Sequence, residues 1–205
     1  MAMKKAAKKA VERIRTAAKK VATKVAAKAK AKAPAKKRAK VLPIPKGYHV
    51  LTPTIVVRGA ANAIEFYKKA FGAKELNRME GPGGKIMHAE IKIGDSILMV
   101  TDEFPEMGST SPETVGGISA SVMIYTKDVD ALFNQAVAAG GKVTMPVADQ
   151  FWGDRYGRVK DPFGHDWQLA TRKENLSAKE MARRGAAAMS APPPGQGGQG
   201  QGQQG

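Results

Sequence analysis

The alternation of apolar and polar positions between residues 51 and 171 spells out a strand, a helix and three strands, and then the same order again. Leu51–Val57 is a β-branched run cut by Pro53 near its start, which suits a short or edge strand. Across Ala60–Phe71, the residues Ile64, Tyr67 and Phe71 fall on one helical face, and Gly72 supplies a stop. Lys74–Glu80, Ile86–Ile93 and Ile97–Thr101 have strand patterning and are separated by Gly81-Pro-Gly-Gly84 and Gly94-Asp95 turns. Residues 102–117 read as a loop and Ser119–Thr126 as a fifth strand. Val129, Leu132, Phe133, Ala136 and Val137 keep helical spacing, and Gly140-Gly141 end that helix. Lys142–Met145, Tyr156–Lys160 and Trp167–Thr171 complete the series as strands.

The two halves align without a gap at an offset of 68 residues, with Val57 on Tyr125, Ile64 on Leu132, Gly72 on Gly140 and Lys74 on Lys142. Near the module ends the offset becomes 70, pairing Gly94 with Gly164 and Thr101 with Thr171. A repeat of this size points to duplication of a βαβββ unit. The expected architecture is α+β: two curved four-stranded sheets related by a pseudo-twofold axis and enclosing a cleft, which is a natural ligand site.

What flanks this body has a different composition. The chain carries 34 Lys and Arg against 18 Asp and Glu, a net charge of +16. Residues 1–46 hold 17 of the cations and one acid, Glu12, whereas residues 47–205 hold 17 of each sign. The protein thus divides into a cationic arm (1–46), a domain of nearly balanced charge (47–175) and a tail (176–205). The arm is nearly all Ala and Lys, a composition that buries little and repels itself, so disorder is its default state. Val11, Ile14, Ala18, Val21 and Val25 nonetheless share a helical face, and a helix there condenses once the lysines are neutralised. The tail begins with a short helix at Ser177–Met189, where Ser177 and Glu180 form a capping box, and ends in Pro, Gly and Gln. Cysteine is absent, which excludes disulfides, thiolate metal sites and a cysteine nucleophile. No apolar run is long enough to span a bilayer, and the N-terminus lacks the apolar stretch of a secretory signal.

Several motifs in the body resemble a known family. Pro53-Thr-Ile-Val-Val-Arg58 and Ala63-Ile-Glu-Phe-Tyr-Lys-Lys-Ala-Phe-Gly-Ala73 resemble the opening of the vicinal-oxygen-chelate superfamily. That superfamily includes glyoxalase I, extradiol dioxygenases, fosfomycin-resistance transferases and bleomycin-binding proteins. His88-Ala-Glu90, Gly94-Asp-Ser-Ile-Leu-Met-Val100, Phe151-Trp-Gly-Asp-Arg-Tyr-Gly157 and Asp161-Pro-Phe-Gly-His-Asp-Trp167 are similar to the subgroup of the phosphonate-operon accessory protein. The resemblance implies the glyoxalase-like fold and a homodimer. It does not imply one reaction, because this scaffold hosts many chemistries.

Enzymes of the superfamily hold one divalent metal with His and Glu ligands on four strands. Carried over by counting from Gly72 and Gly140, and from the module ends, those positions fall on Thr52, Leu98, Ser121 and Gln168. Only Gln168 is a credible ligand; Thr and Ser hydroxyls bind divalent ions weakly and Leu98 has no donor. The resemblance therefore implies a degenerate metal position, and no metal ligand is assigned. A divalent cofactor elsewhere would have to use His88 and Glu90, which share one strand face and offer half a coordination shell; the alternative is a half-buried histidine bonded to backbone. His165 belongs to a turn and His49 to the rim. The 2-His-1-carboxylate iron triad of a dioxygenase cannot be assembled.

The densest chemical cluster is Asp149–Gly157. Trp152 and Tyr156 can stack on a planar ligand, and Arg155 can grip a carboxylate or phosphate with two hydrogen bonds. Gly153 and Gly157 are read as turn glycines. Alternatively, Trp152 caps the core and Arg155 pairs with Asp154 or Asp161. The ligand-binding candidates are thus His88, Glu90, Ser121, Trp152, Arg155, Tyr156 and Gln168.

Two functions follow from this sequence. One is a small-molecule site in the body cleft, catalytic or sequestering. The other is sequence-independent nucleic-acid binding through the arm, whose composition resembles linker-histone tails. Its contacts would be Lys4, Lys5, Lys8, Lys9, Arg13, Arg15, Lys19, Lys20, Lys24, Lys28, Lys30, Lys32, Lys36, Lys37, Arg38 and Lys40. The expected location is cytoplasmic, at the nucleoid where the arm binds DNA. The competing reading is a metal-dependent enzyme (lyase, dioxygenase or transferase type) whose arm is a membrane-surface or targeting segment.

Overall fold

The computed structural model describes Glu12, Arg15, Thr16, Lys19, Lys20 and residues 41–190. The five arm residues are helical and exposed. The remaining arm contacts named above lie outside the described residues, as does the Pro/Gly/Gln segment 191–205. The chain divides into two units, 1–43 and 44–205, and the second contains both βαβββ modules.

The first module comprises β1 (Thr54–Val57), α1 (Ala60–Phe71), β2 (Lys74–Glu80), β3 (Ile86–Ile93) and β4 (Ser96–Asp102). The second comprises β5 (Val122–Tyr125), α3 (Val129–Ala138), β6 (Lys142–Asp149), β7 (Asp154–Lys160) and β8 (Asp166–Arg172). Between them, the loop contains a 3-10 turn at Pro105–Met107 and a one-turn helix, α2 (Pro112–Val115). The strand orders are β1-β4-β3-β2 and β5-β8-β7-β6, each with one parallel pair involving the first strand of the module. This is the α+β arrangement of two mixed sheets expected from the repeat.

The strand ends differ from the pattern for local reasons. β1 starts at Thr54 because Pro53 has no N–H to offer a ladder. β5 starts at Val122, three residues later than its apolar pattern. β6 runs on to Asp149 and β7 begins at Asp154, so most of the aromatic segment is a hairpin rather than a long loop. Gly157 lies within β7, not in a turn. A Cβ there would meet Val147 Cγ2 at 2.8 Å and the Phe133 ring at 3.0 Å, so close packing on α3 is what requires glycine.

Helix α1 buries Ala60, Ala63, Ile64, Tyr67 and Ala70 completely. Its N-terminus has no local cap. Instead, Gly59 and Ala60 donate their N–H groups to Asp102 Oδ1, at 2.8 and 2.9 Å, while Ile86 N–H takes Asp102 Oδ2. One buried carboxylate therefore satisfies the helix start and ties it to the sheet. Helices α1 and α3 pack on each other, and Gln135 Nε2 donates to the carbonyls of Lys69 and Ala70. A single apolar core joins both modules, with Trp167 and Phe71 rings 4.5 Å apart at its centre.

The Asp161-Pro-Phe-Gly-His turn fastens the modules. Asp161 Oδ2 accepts from Tyr67 OH at 2.8 Å and Trp167 Nε1 at 2.9 Å, and its Oδ1 accepts from the N–H groups of Phe163 and His165. His165 is more than a surface turn residue: its Nε2 lies 2.9 Å from the Val56 carbonyl of β1. The last helix, α4 (Ala178–Ser190), buries no residue. Ser177 Oγ accepts from Glu180 N–H at its start, but the Glu180 carboxylate pairs with Arg183 and Arg184, so the expected capping box is only half made. Among the described residues, no helix is long and apolar enough to cross a membrane.

Candidate functional site

Because side chains alternate along a strand, register separates each sheet into a core face and an open face. In the first sheet, Ile55, Val57, Ala89, Ile91, Leu98 and Val100 point to the helix. The opposite face carries His88, Glu90 and Met99. In the second sheet, Val159, Trp167 and Leu169 are buried, and the open face carries Met123, Tyr125, Asp154, Tyr156, Arg158, Gln168 and Arg172.

The four family metal positions do not form a donor set. Leu98 is 4% exposed and packs in the core. The Thr52 hydroxyl donates to the His49 carbonyl at 3.0 Å. Ser121 and Gln168 do come together, but they satisfy each other: Gln168 Nε2 donates to Ser121 Oγ at 2.5 Å. Among the described residues, no group of three or more His, Asp or Glu side chains is arranged to hold a metal ion. The residues present do not fit the family's divalent ion.

His88 and Glu90 face the same side, with Nε2 3.1 Å from Oε1. Hydrogen bonds from Tyr48, and then from His88, hold the Glu90 carboxyl below its ordinary range, and Glu90 in turn raises the Tyr48 phenol. These two candidates sit on the first sheet, whereas Ser121, Trp152, Tyr156 and Gln168 belong to the second. Among the described residues, no hydrogen bond or ion pair joins one open face to the other.

Arg155 points to the helix side of its sheet. It makes a bidentate pair with Asp130 of α3, at 2.6 and 2.7 Å, and reaches Asp149 at 3.2 Å. Neither Asp154 nor Asp161 is its partner. The two aspartates raise the Arg155 pKa, and Asp130 is lowered by the same contact. With its donors engaged, Arg155 acts as a clasp between α3 and the β6–β7 hairpin.

The sequence reading missed the polar centre of the second open face. Asp154 is 2% exposed, yet accepts from Tyr125 OH at 3.0 Å, Trp152 Nε1 at 3.2 Å and Arg172 Nε. Beside it, the Trp152 and Tyr156 rings meet edge to face at 5.6 Å. Tyr156 is nearly buried, and that burial raises its phenol pKa. The signal was the period-2 alternation Asp154-Tyr156-Arg158 opposite Gln168-Ala170-Arg172, which places all six on one face. Two cavities also run along the seam between the modules. One, of about 610 Å³, is lined by Thr54–Val56, Ser121, Val122 and His165. The other, of about 540 Å³, is lined by Phe71, Leu98, Ile124, Tyr125, Leu132 and Trp167.

Paired βαβββ modules with open sheet faces define the glyoxalase-like class of fold. The family model for the Glyoxalase/Bleomycin resistance protein/Dioxygenase superfamily matches residues 48–169, and the chain belongs to that superfamily. An uncharacterised protein of Mycobacterium tuberculosis is 43% identical over 134 residues, covering 64% of this chain and 79% of the relative. An uncharacterised Arabidopsis thaliana protein is 32% identical over 120 residues, covering 55% of this chain and 71% of that protein. Among solved structures, protein PA1353 from Pseudomonas aeruginosa aligns with a TM-score of 0.50 and 26% identity, covering 60% of this chain and 98% of that one.

Proposed function

We propose that the body is a small-molecule binding module whose ligand occupies the open sheet faces without the superfamily's usual metal, and that the arm attaches it non-specifically to nucleic acid. The observation that carries the first half is the Gln168–Ser121 hydrogen bond at 2.5 Å. Two positions that would ligate a metal donate and accept between themselves, and a neutral amide–hydroxyl pair gives a hard or borderline cation little to bind. The open faces offer adaptable and aromatic surface: Met99 on the first, and Met123, Tyr125 and Trp152 on the second. A homodimer, in which one copy's open face meets another's, is consistent with the exposed Val50 and Leu51 beside β1 and the exposed Met79 and Met123. The arm half rests on the 17 cations of residues 1–46, which suit phosphate contacts without groove reading. A cytoplasmic, nucleoid-associated location belongs to the same reading.

Carbon-13 labelling of the methionine methyl groups tests ligand binding directly. Titration of the full chain with fractionated metabolites should shift Met99 and Met123 on the open faces and leave Met107 and Met181 in place. Shifts confined to the latter pair, or none with any fraction, would refute the proposal. The competing metal-enzyme reading draws on one observation, the His88–Glu90 pair at 3.1 Å. It requires that His88→Ala abolish metal uptake by the full chain.

A further inference from the structure

We propose that Arg172 is an anion-recognition point on the second open face, so that the ligand of that face is a planar aromatic molecule carrying a carboxylate, sulfonate or phosphate. This rests on the small-molecule reading above and names the ligand class for it.

The argument begins with Asp154. A carboxylate on an open sheet face would ordinarily stay in water, but this one is 2% exposed. Burial of a charge is tolerated only with several strong donors, and Tyr125, Trp152 and Arg172 supply them. Arg172 gives its Nε–H to Asp154, and its guanidinium also meets the Tyr125 hydroxyl. Among the described residues no other carboxylate pairs with it, and its side chain remains 50% exposed. The other arginines of this module differ: Arg155 is claimed by two aspartates, and Arg158 donates a terminal amino group to Asp166. Arg172 is thus a guanidinium anchored by Asp154 and Tyr125 with half of its side chain still exposed, which leaves N–H donors for an oxyanion.

Its surroundings set the rest of the ligand. Tyr125, 56% exposed, and Trp152 both donate to Oδ2 of the same Asp154. One carboxylate therefore orients a cation and two ring systems together, and rings so held can stack on a planar group next to the anion. Arg172 shares its face with Gln168, four residues or about 13 Å away along β8, so this recognition point is separate from the degenerate metal position.

The probe for this test is anilinonaphthalene sulfonate, compared with uncharged phenylnaphthylamine, and binding to the full chain is followed by fluorescence. The sulfonate should bind the full chain more tightly than the neutral amine. Arg172→Gln should weaken the sulfonate about tenfold to hundredfold and leave the amine unchanged. Arg172→Lys keeps the charge and guards against a folding artefact; it should lose an intermediate amount, since an ammonium cannot make the paired bonds. Unchanged sulfonate affinity in both variants, with weakening by Trp152→Ala, would overturn the anion assignment and leave the small-molecule face standing. No change in any of the three variants would remove both.

Discussion

Tyr67 of helix α1 donates its hydroxyl hydrogen bond to Asp161 of the second module across 2.8 Å. Burial, with the adjacent carboxylate, keeps that phenol well above its ordinary pKa. The same carboxylate receives Trp167 and two backbone N–H groups, so Asp161 is the polar knot of an otherwise apolar seam. Tyr67→Phe removes one of four donors and should cost about 1–2 kcal/mol. Asp161→Ala strands four donors and should cost at least about 3 kcal/mol. Urea denaturation of the two variants checks the order; equal losses would show that the knot is not shared.

Glu103 gives a pH dependence with a definite sign. It accepts from Thr114, Arg58 and Ser111, and these contacts lower its pKa to about 2. A carboxylate with a depressed folded-state pKa contributes its full stabilisation above the unfolded value, near pH 4.5, and loses it as pH falls toward 2. Glu103→Gln should therefore lower Tm at pH 6, and the gap to the parent should close progressively between pH 4.5 and pH 2. A gap that is constant across this range would place the stabilisation elsewhere.

Arg155→Ala separates a clasp from a ligand contact. Because Asp130 and Asp149 engage the guanidinium, the variant should show a small drop in Tm and faster amide exchange in the β6–β7 hairpin, with ligand affinity unchanged. A loss of affinity for an anionic ligand without loss of stability would return Arg155 to the binding surface.

The arm is testable by salt. If about half of its 17 cations meet phosphates, the slope of log affinity against log salt should be about −7 on duplex DNA and similar for unrelated sequences. Gel shifts across a salt series measure it. Tight binding by residues 47–205 alone, or a flat response, would contradict the assignment.

The fold was legible because the apolar periodicity is strong and occurs twice. Helix Ala60–Phe71 and strands Lys74–Glu80 and Ile86–Ile93 match the pattern residue for residue. β1 was read too long, because a β-branched run continues through Pro53 whereas the hydrogen-bond ladder does not. The site was less legible. Arg155 and Arg158 lie three apart on one strand and so fall on opposite faces, but which of them faces the helix is settled only by the packing of the sheet and its register opposite β8. Asp154 and Arg172 are 18 residues apart and meet only through antiparallel pairing. The Ser121–Gln168 bond likewise depends on the parallel β5–β8 pair, whose register the sequence does not declare.

Metal loading tests the central proposal most directly. The full chain is incubated with zinc, nickel, manganese and ferrous ions in turn, desalted, and its metal content read by elemental mass spectrometry. With Ser121 and Gln168 bonded to each other and Leu98 in the core, each ion should be recovered far below one per chain. Retention of about one ion per chain, lost on Gln168→Ala, would contradict the proposal and restore a metal site at the family position.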